Sequence, residues 1–113
     1  MKSKILALSK NKEFKELLNK NKLTNNYVSI FFGILKNKND KKLNISFVTK
    51  KKIGNAVKRN KIKRRLRNIM NEAVKKISIK FNYSYLIIAK STMLNAEYTK
   101  IKETIFKSFE KIK

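Results

Sequence analysis

Between Lys41 and Asn71 the chain carries twelve lysines and arginines and no acid. From within that run onward apolar residues return at helical spacing: Ile62, Leu66, Ile69, Ala73 and Ile77, in steps of 4, 3, 4 and 4. Such a segment has few ways to fold. As a helix it can lay one side on a core, while the other side must stay in water or meet an anion. Gly54-Asn55 breaks the pattern just ahead of it, so the spacing predicts a helix from there to about Lys76.

The flanking segments supply a body for that helix. Asn11 can cap a helix running to about Lys20, with Phe14, Leu17 and Leu18 on one side. Tyr27–Leu35 (YVSIFFGIL) reads as a strand, with Val28, Ile30, Phe32 and Ile34 on one face and Tyr27, Ser29, Phe31 and Gly33 on the other. The polar stretch Lys36–Lys42 reads as a surface loop. Leu43–Thr49 reads as the hairpin partner of the first strand, with Leu43, Ile45 and Phe47 alternating. Ser84–Ala89 (SYLIIA) is a short buried strand, and Asn95 can cap a last helix carrying Tyr98, Ile101, Ile105 and Phe109 at helical spacing. The order helix, strand, strand, helix, strand, helix predicts an α+β sandwich. At 113 residues the chain is long enough for one domain and not for two.

Composition narrows the function. Thirty Lys and Arg face seven Asp and Glu, a net charge of +23. Self-repulsion of that size destabilises a folded body, and a polyanion relieves it. Membrane is the weaker choice of polyanion. No apolar run approaches the ~20 residues of a spanning helix, and Met1–Lys20 has no apolar core of a signal peptide. With no Cys and no His, thiolate chemistry, zinc sites and imidazole catalysis are excluded. The acids, at Glu13, Glu16, Asp40, Glu72, Glu97, Glu103 and Glu110, are dispersed, with no close pair to suggest a metal site or a carboxylate dyad. The inventory suits a cytoplasmic binding protein and not an autonomous enzyme; no catalytic and no metal residue is expected.

Lysine outnumbers arginine 26 to four, yet all four arginines, Arg59, Arg64, Arg65 and Arg67, fall within nine residues. Arginine's planar fork bonds phosphate in a bidentate manner and stacks on bases, which lysine cannot do. Lys58 and Arg59 lie near the positive end of the helix macrodipole, where isolated stability favours acids. A phosphate docking at that end would find free N–H groups and side-chain charge together. Arg59, Lys63 and Arg67 recur every four residues, as do Asn60 and Arg64, and Lys61 and Arg65, covering the surface away from the apolar stripe. Asn60 can read a base edge or simply bond the backbone. Charge alone admits DNA. RNA is favoured because the helix is fused into an α+β body without a helix-turn-helix partner or zipper, and because Tyr27 and Phe31 could stack unpaired bases, although packing under the first helix serves them equally well.

The run KKIGNAVKRNKIKRRLR, Lys51 to Arg67, resembles the signature of the bacterial ribonuclease P protein component, roughly K-x-x-G-x-A-V-x-R-N-x-x-K-R-x-x-R. Lys51, Gly54, Ala56, Val57, Arg59, Asn60, Lys63, Arg64 and Arg67 fit it without a gap. Lys10–Phe14 (KNKEF) resembles the start of the family's first helix, and Tyr85–Lys90 (YLIIAK) its last strand.

The resemblance implies a single domain over 1–113: a two-layer α/β sandwich, a mixed sheet of about four strands with three helices, and a left-handed βαβ crossover, against the usual hand. It implies a subunit of a ribonucleoprotein that matures tRNA 5′ ends, in which the RNA cleaves and holds the magnesium, and an isolated protein that is inactive. The partners implied are the catalytic RNA and precursor tRNA, with no membrane and no obligate protein partner. Carried over by position, Lys51, Lys52, Lys58, Arg59, Asn60, Lys61, Lys63, Arg64, Arg65 and Arg67 would meet the catalytic RNA, with Lys61 and Arg65 at positions the signature leaves open. Phe14, Leu18, Tyr27 and Phe31 would line the cleft for the 5′ leader, where Leu18 stands in place of an aromatic residue and offers apolar contact only. A ribosomal or other RNA-structuring protein, and a stand-alone nuclease, are the competing classes.

Overall fold

The computed structural model describes residues 5–8, 11–36, 38 and 41–112. Five strands and three helices are seen: β1 (Ile5–Leu6), α1 (Asn11–Leu18), β2 (Asn21–Thr24), β3 (Val28–Gly33), β4 (Leu43–Val48), α2 (Ala56–Lys76), β5 (Ser84–Ala89) and α3 (Tyr98–Glu110). Two 3-10 turns, Lys51–Ile53 and Ser91–Leu94, lead into α2 and α3. The α+β class and the three helices are as expected; the sheet has five strands, not about four. The additions, β1 and β2, are short edge strands of two and four residues with too little alternation to announce themselves.

The sheet order is β1-β4-β5-β3-β2. β5 is antiparallel to β3 and parallel to β4. The expected hairpin between β3 and β4 is therefore wrong: β5 lies between them, and the true hairpin is β2–β3. Burial explains the insertion. Five of the six residues of β5 are buried, so this strand is most stable where both edges and both faces are covered. β4, α2 and β5 make the parallel βαβ unit, with the long cationic helix as its crossover.

Each face of the sheet has its own core. Val28 and Ile30 of β3, Ile45 of β4 and Tyr85 and Ile87 of β5 pack with Ile62, Leu66, Ile69 and Met70 of α2 and Ile101, Ile105 and Phe109 of α3. Tyr85 is the centre of an aromatic group, 5.1 Å from the Phe109 ring and 6.3 Å from Phe32. The opposite face carries a smaller cluster of Leu8, Leu17, Leu35 and Leu86, bordered by Phe14, Phe31, Val48 and Ile88. α1 covers only part of that face, which leaves a groove beside it.

Boundaries differ from the sequence spacing at three places. α1 ends at Leu18, and Leu18 itself is 45% exposed. Ile34 lies one residue past the end of β3 and is 60% exposed. Glu97, not Asn95, precedes the first turn of α3; Asn95 ends the second 3-10 turn. Of the expected Lys36–Lys42 loop, Asn37, Asn39 and Asp40 lie outside the described residues, and Lys38 is ion-paired with Glu13.

Tyr85 sets an alkaline limit on the fold. Burial, and next Tyr83, raise its hydroxyl far above the ordinary value of 10.0, and the hydroxyl donates a hydrogen bond to the Lys80 carbonyl at 2.8 Å. A neutral phenol held this way stabilises the native state fully below the unfolded value, and the contribution is lost as pH rises beyond it. Stability is expected to fall above about pH 10, and Tyr85→Phe is expected to flatten that decline. Melts of both proteins at pH 8 and pH 11 check it; parallel losses would refute it.

Candidate nucleic-acid interface

α2 begins where Asn55 places its side-chain oxygen 3.0 Å from the Lys58 N–H, which caps the first turn. No acid stands in that turn. Its positive pole and its cations thus point the same way, an arrangement that suits a bound anion and not an isolated helix. Ile62, Leu66, Ile69, Met70 and Ala73 are buried beneath. Met70, which the 4-3-4-4 stripe omitted, is fully buried because a helix on a broad sheet presents more than one seam.

Away from the core, Lys58, Asn60, Lys61, Arg64 and Arg67 are exposed, and Arg59, Lys63 and Arg65 are half-buried. Lys51 and Lys52 are exposed on the 3-10 turn ahead of the helix. Among the described residues the ion pairs are Lys20–Glu16, Lys38–Glu13 and Lys102–Glu72, so no carboxylate neutralises an arginine. The Arg59 Nε is buried without a hydrogen-bond partner. Val57, 77% exposed in the first turn, adds an apolar contact among these cations that the core does not use.

Two hollows lie beside the sheet, one bordered by α2 and one ahead of it. One, of about 400 Å³, lies where α2 passes β4 and α1; Lys63 and Arg67 border it opposite Phe14, Ser46 and Val48. Thr49 lines it too, its hydroxyl buried and unbonded. The other, of about 610 Å³, opens at the carboxyl ends of β4 and β5, between Lys50, Lys52, Lys90, Ser29 and Ile88. Ligands of open α/β sheets gather at such strand ends. Lys90 is anchored there by donating its ammonium to the Asn25 carbonyl at 2.6 Å. Lys90 and Ser29 escaped the sequence reading, and Lys50 figured in it only as part of the basic segment. Lys90 directly follows a buried strand, a signal that could have marked it, whereas Ser29 needed the register that sets it opposite Ile88.

Of the four expected cleft residues, Phe14 and Phe31 come together on the α1 face, with the Lys22 ammonium 5.5 Å from the Phe31 ring centre. Leu18 is on the outward side of α1, apart from that cluster. Tyr27 does not share the Phe31 face: it packs against the larger core on the other side. It precedes β3, in a turn where the Asn25 side chain accepts from the Tyr27 and Val28 N–H groups, so strand alternation does not govern it.

Among the described residues no three Asp, Glu, His or Cys side chains gather where they could hold a metal ion together. None of the described helices is long and apolar enough to cross a membrane.

Comparison with known proteins agrees with this geometry. A family model described as Ribonuclease P matches residues 3–113. The chain is 31% identical over 107 residues to the ribonuclease P protein component of Mycoplasma mycoides, covering 95% of each chain. It is 37% identical over 92 residues to that of Mesoplasma florum, covering 80% of each. The solved ribonuclease P protein of Thermotoga maritima superposes with a TM-score of 0.80 at 19% identity, over 96% of this chain and 98% of that one. A chain matched along nearly its whole length, by model, by relatives and by fold, belongs to the ribonuclease P protein family.

Proposed function

We propose that this chain is the protein subunit of a ribonucleoprotein ribonuclease in the cytoplasm, binding the catalytic RNA through α2 and the 5′ leader of precursor tRNA through the grooved face of the sheet. Catalysis and its magnesium belong to the RNA in this reading, and the isolated protein does not cleave. The observation that carries it is the α2 surface: four arginines without a carboxylate partner, on a helix seated by its underside on the sheet. Such a surface replaces the counterions of phosphates and gains the entropy of their release. The leader path runs from the hollow at Phe14, Lys63 and Arg67 towards the hollow at Lys50, Lys52 and Lys90, across apolar side chains with cations at both ends. A single strand needs that combination of a charged track and apolar contacts, whereas a duplex needs a wider seat.

The test is a mixing assay. Added to a bacterial ribonuclease P RNA and a leader-bearing tRNA precursor at low magnesium, the protein is expected to restore 5′ cleavage, and without the RNA to cleave nothing. Failure to stimulate, with RNA binding retained, would favour a purely structural RNA-binding protein. Cleavage by the RNA-free protein at a rate indifferent to the RNA would make it a nuclease in its own right.

A further inference from the structure

α2 has two flanks, and only one borders the groove beside β4. Lys63 and Arg67 stand on that side. Lys58, Lys61 and Arg65, three and four residues apart, stand on the other, where α2 passes the second 3-10 turn. Between helix and turn lies a notch of about 290 Å³. Its accessible apolar wall is Leu94, half-buried, with Ile62 and Met93 buried behind it. Asn95 closes the rim, exposed, and its side-chain amide has no partner among the described residues.

An unpaired nucleotide is recognised by an apolar wall for its base, an amide or similar group for its base edge, and cations for its phosphate. The notch has all three within a volume near the lower end for small-ligand sites. The Arg65 guanidinium is also a positive neighbour of Tyr98. Burial first, then Glu72, raises the Tyr98 hydroxyl above its ordinary value, and Lys102 and Arg65 oppose them.

We propose that the notch between α2 and the second 3-10 turn takes one unpaired nucleotide of the RNA partner, with its base against Leu94, its edge at Asn95 and its phosphate between Lys61 and Arg65. This rests on the reading of α2 as an RNA-binding helix. The RNA then grips both flanks of α2.

The experiment titrates the full chain with a bacterial ribonuclease P RNA over a series of salt concentrations. Asn95→Ala is expected to weaken binding about fivefold with an unchanged salt slope, because an uncharged contact is lost. Lys61→Gln is expected to weaken binding and to lower the slope by about 0.7 to 0.9, because a phosphate contact is lost. Both positions are exposed, and matched melting curves confirm that each variant folds. If Asn95→Ala binds as wild type does, the nucleotide site is overturned, whatever Lys61→Gln does. If the wild-type chain does not bind, the reading of α2 falls as well. The chain has no cysteine, so Asn95→Cys carries a unique photo-crosslinker. Attachment to one unpaired nucleotide supports the notch; attachment only within duplex RNA refutes it.

Discussion

Converting Arg64 and Arg67 together to glutamine is expected to weaken binding of the catalytic RNA by about 30-fold to 150-fold at physiological salt, from two charge-assisted contacts at roughly 1 to 1.5 kcal/mol each. The slope of log K against log salt should shrink by about 1.4 to 1.8, two phosphates' worth. Both residues are exposed and neither has a carboxylate partner. The folded state therefore loses nothing it depends on, and relief of like-charge repulsion along α2 should leave the melting temperature equal or slightly higher. Filter binding at four or five salt concentrations, beside a melt, measures both quantities. A full drop in affinity with an unchanged slope would mean that the arginines act by shape and not by meeting phosphate.

Leu66→Ala is expected to act the opposite way, costing about 2 to 5 kcal/mol of stability. Leu66 is fully buried where α2 crosses the sheet. Its removal opens a cavity that neighbours on a sheet cannot easily close, because the strands are held by their own ladders. For a marginally stable domain that is a large share of the total. The two faces of one helix thus predict separable defects: Leu66→Ala should lower the melting temperature and recover RNA affinity when saturating RNA holds the native state, while the arginine pair should do neither. Denaturant melts with and without RNA distinguish them. A Leu66→Ala protein as stable as wild type would mean that α2 does not anchor the sheet.

The notch and the grooves belong to different orders of legibility. The cationic surface of α2 could be read from spacing alone, since a helix places residues three and four apart on one side whatever surrounds it. Its cap is equally local, Asn55 bonding an N–H three residues on, although in the sequence Gly54-Asn55 reads only as a break. The hydrophobic faces of β3 and β4 were legible for the same reason, through the alternation of Val28 and Ile30, and of Leu43 and Ile45.

Strand order was not. Nothing in the alternation of Tyr27–Leu35 and Leu43–Thr49 says whether they pair with each other or accept a third strand between them. The choice falls to β5, whose side chains are buried on both faces and need both neighbours. The position of Tyr27 failed similarly, because a turn held by Asn25 replaced the strand geometry assumed for it. The hollow at Lys50, Lys52 and Lys90 joins residues forty positions apart and exists only once β4 and β5 lie side by side.

From its order of residues alone this chain was committed to one amphipathic helix with a basic outer surface, to an α+β body beneath it, and to a polyanionic partner, because periodicity and net charge are properties of the covalent chain. Tertiary structure decided which strands are neighbours, which aromatic side chains share a face, and where cations from separate segments converge. Those outcomes come from burying all the apolar surfaces at once, a competition among distant segments that no local window contains.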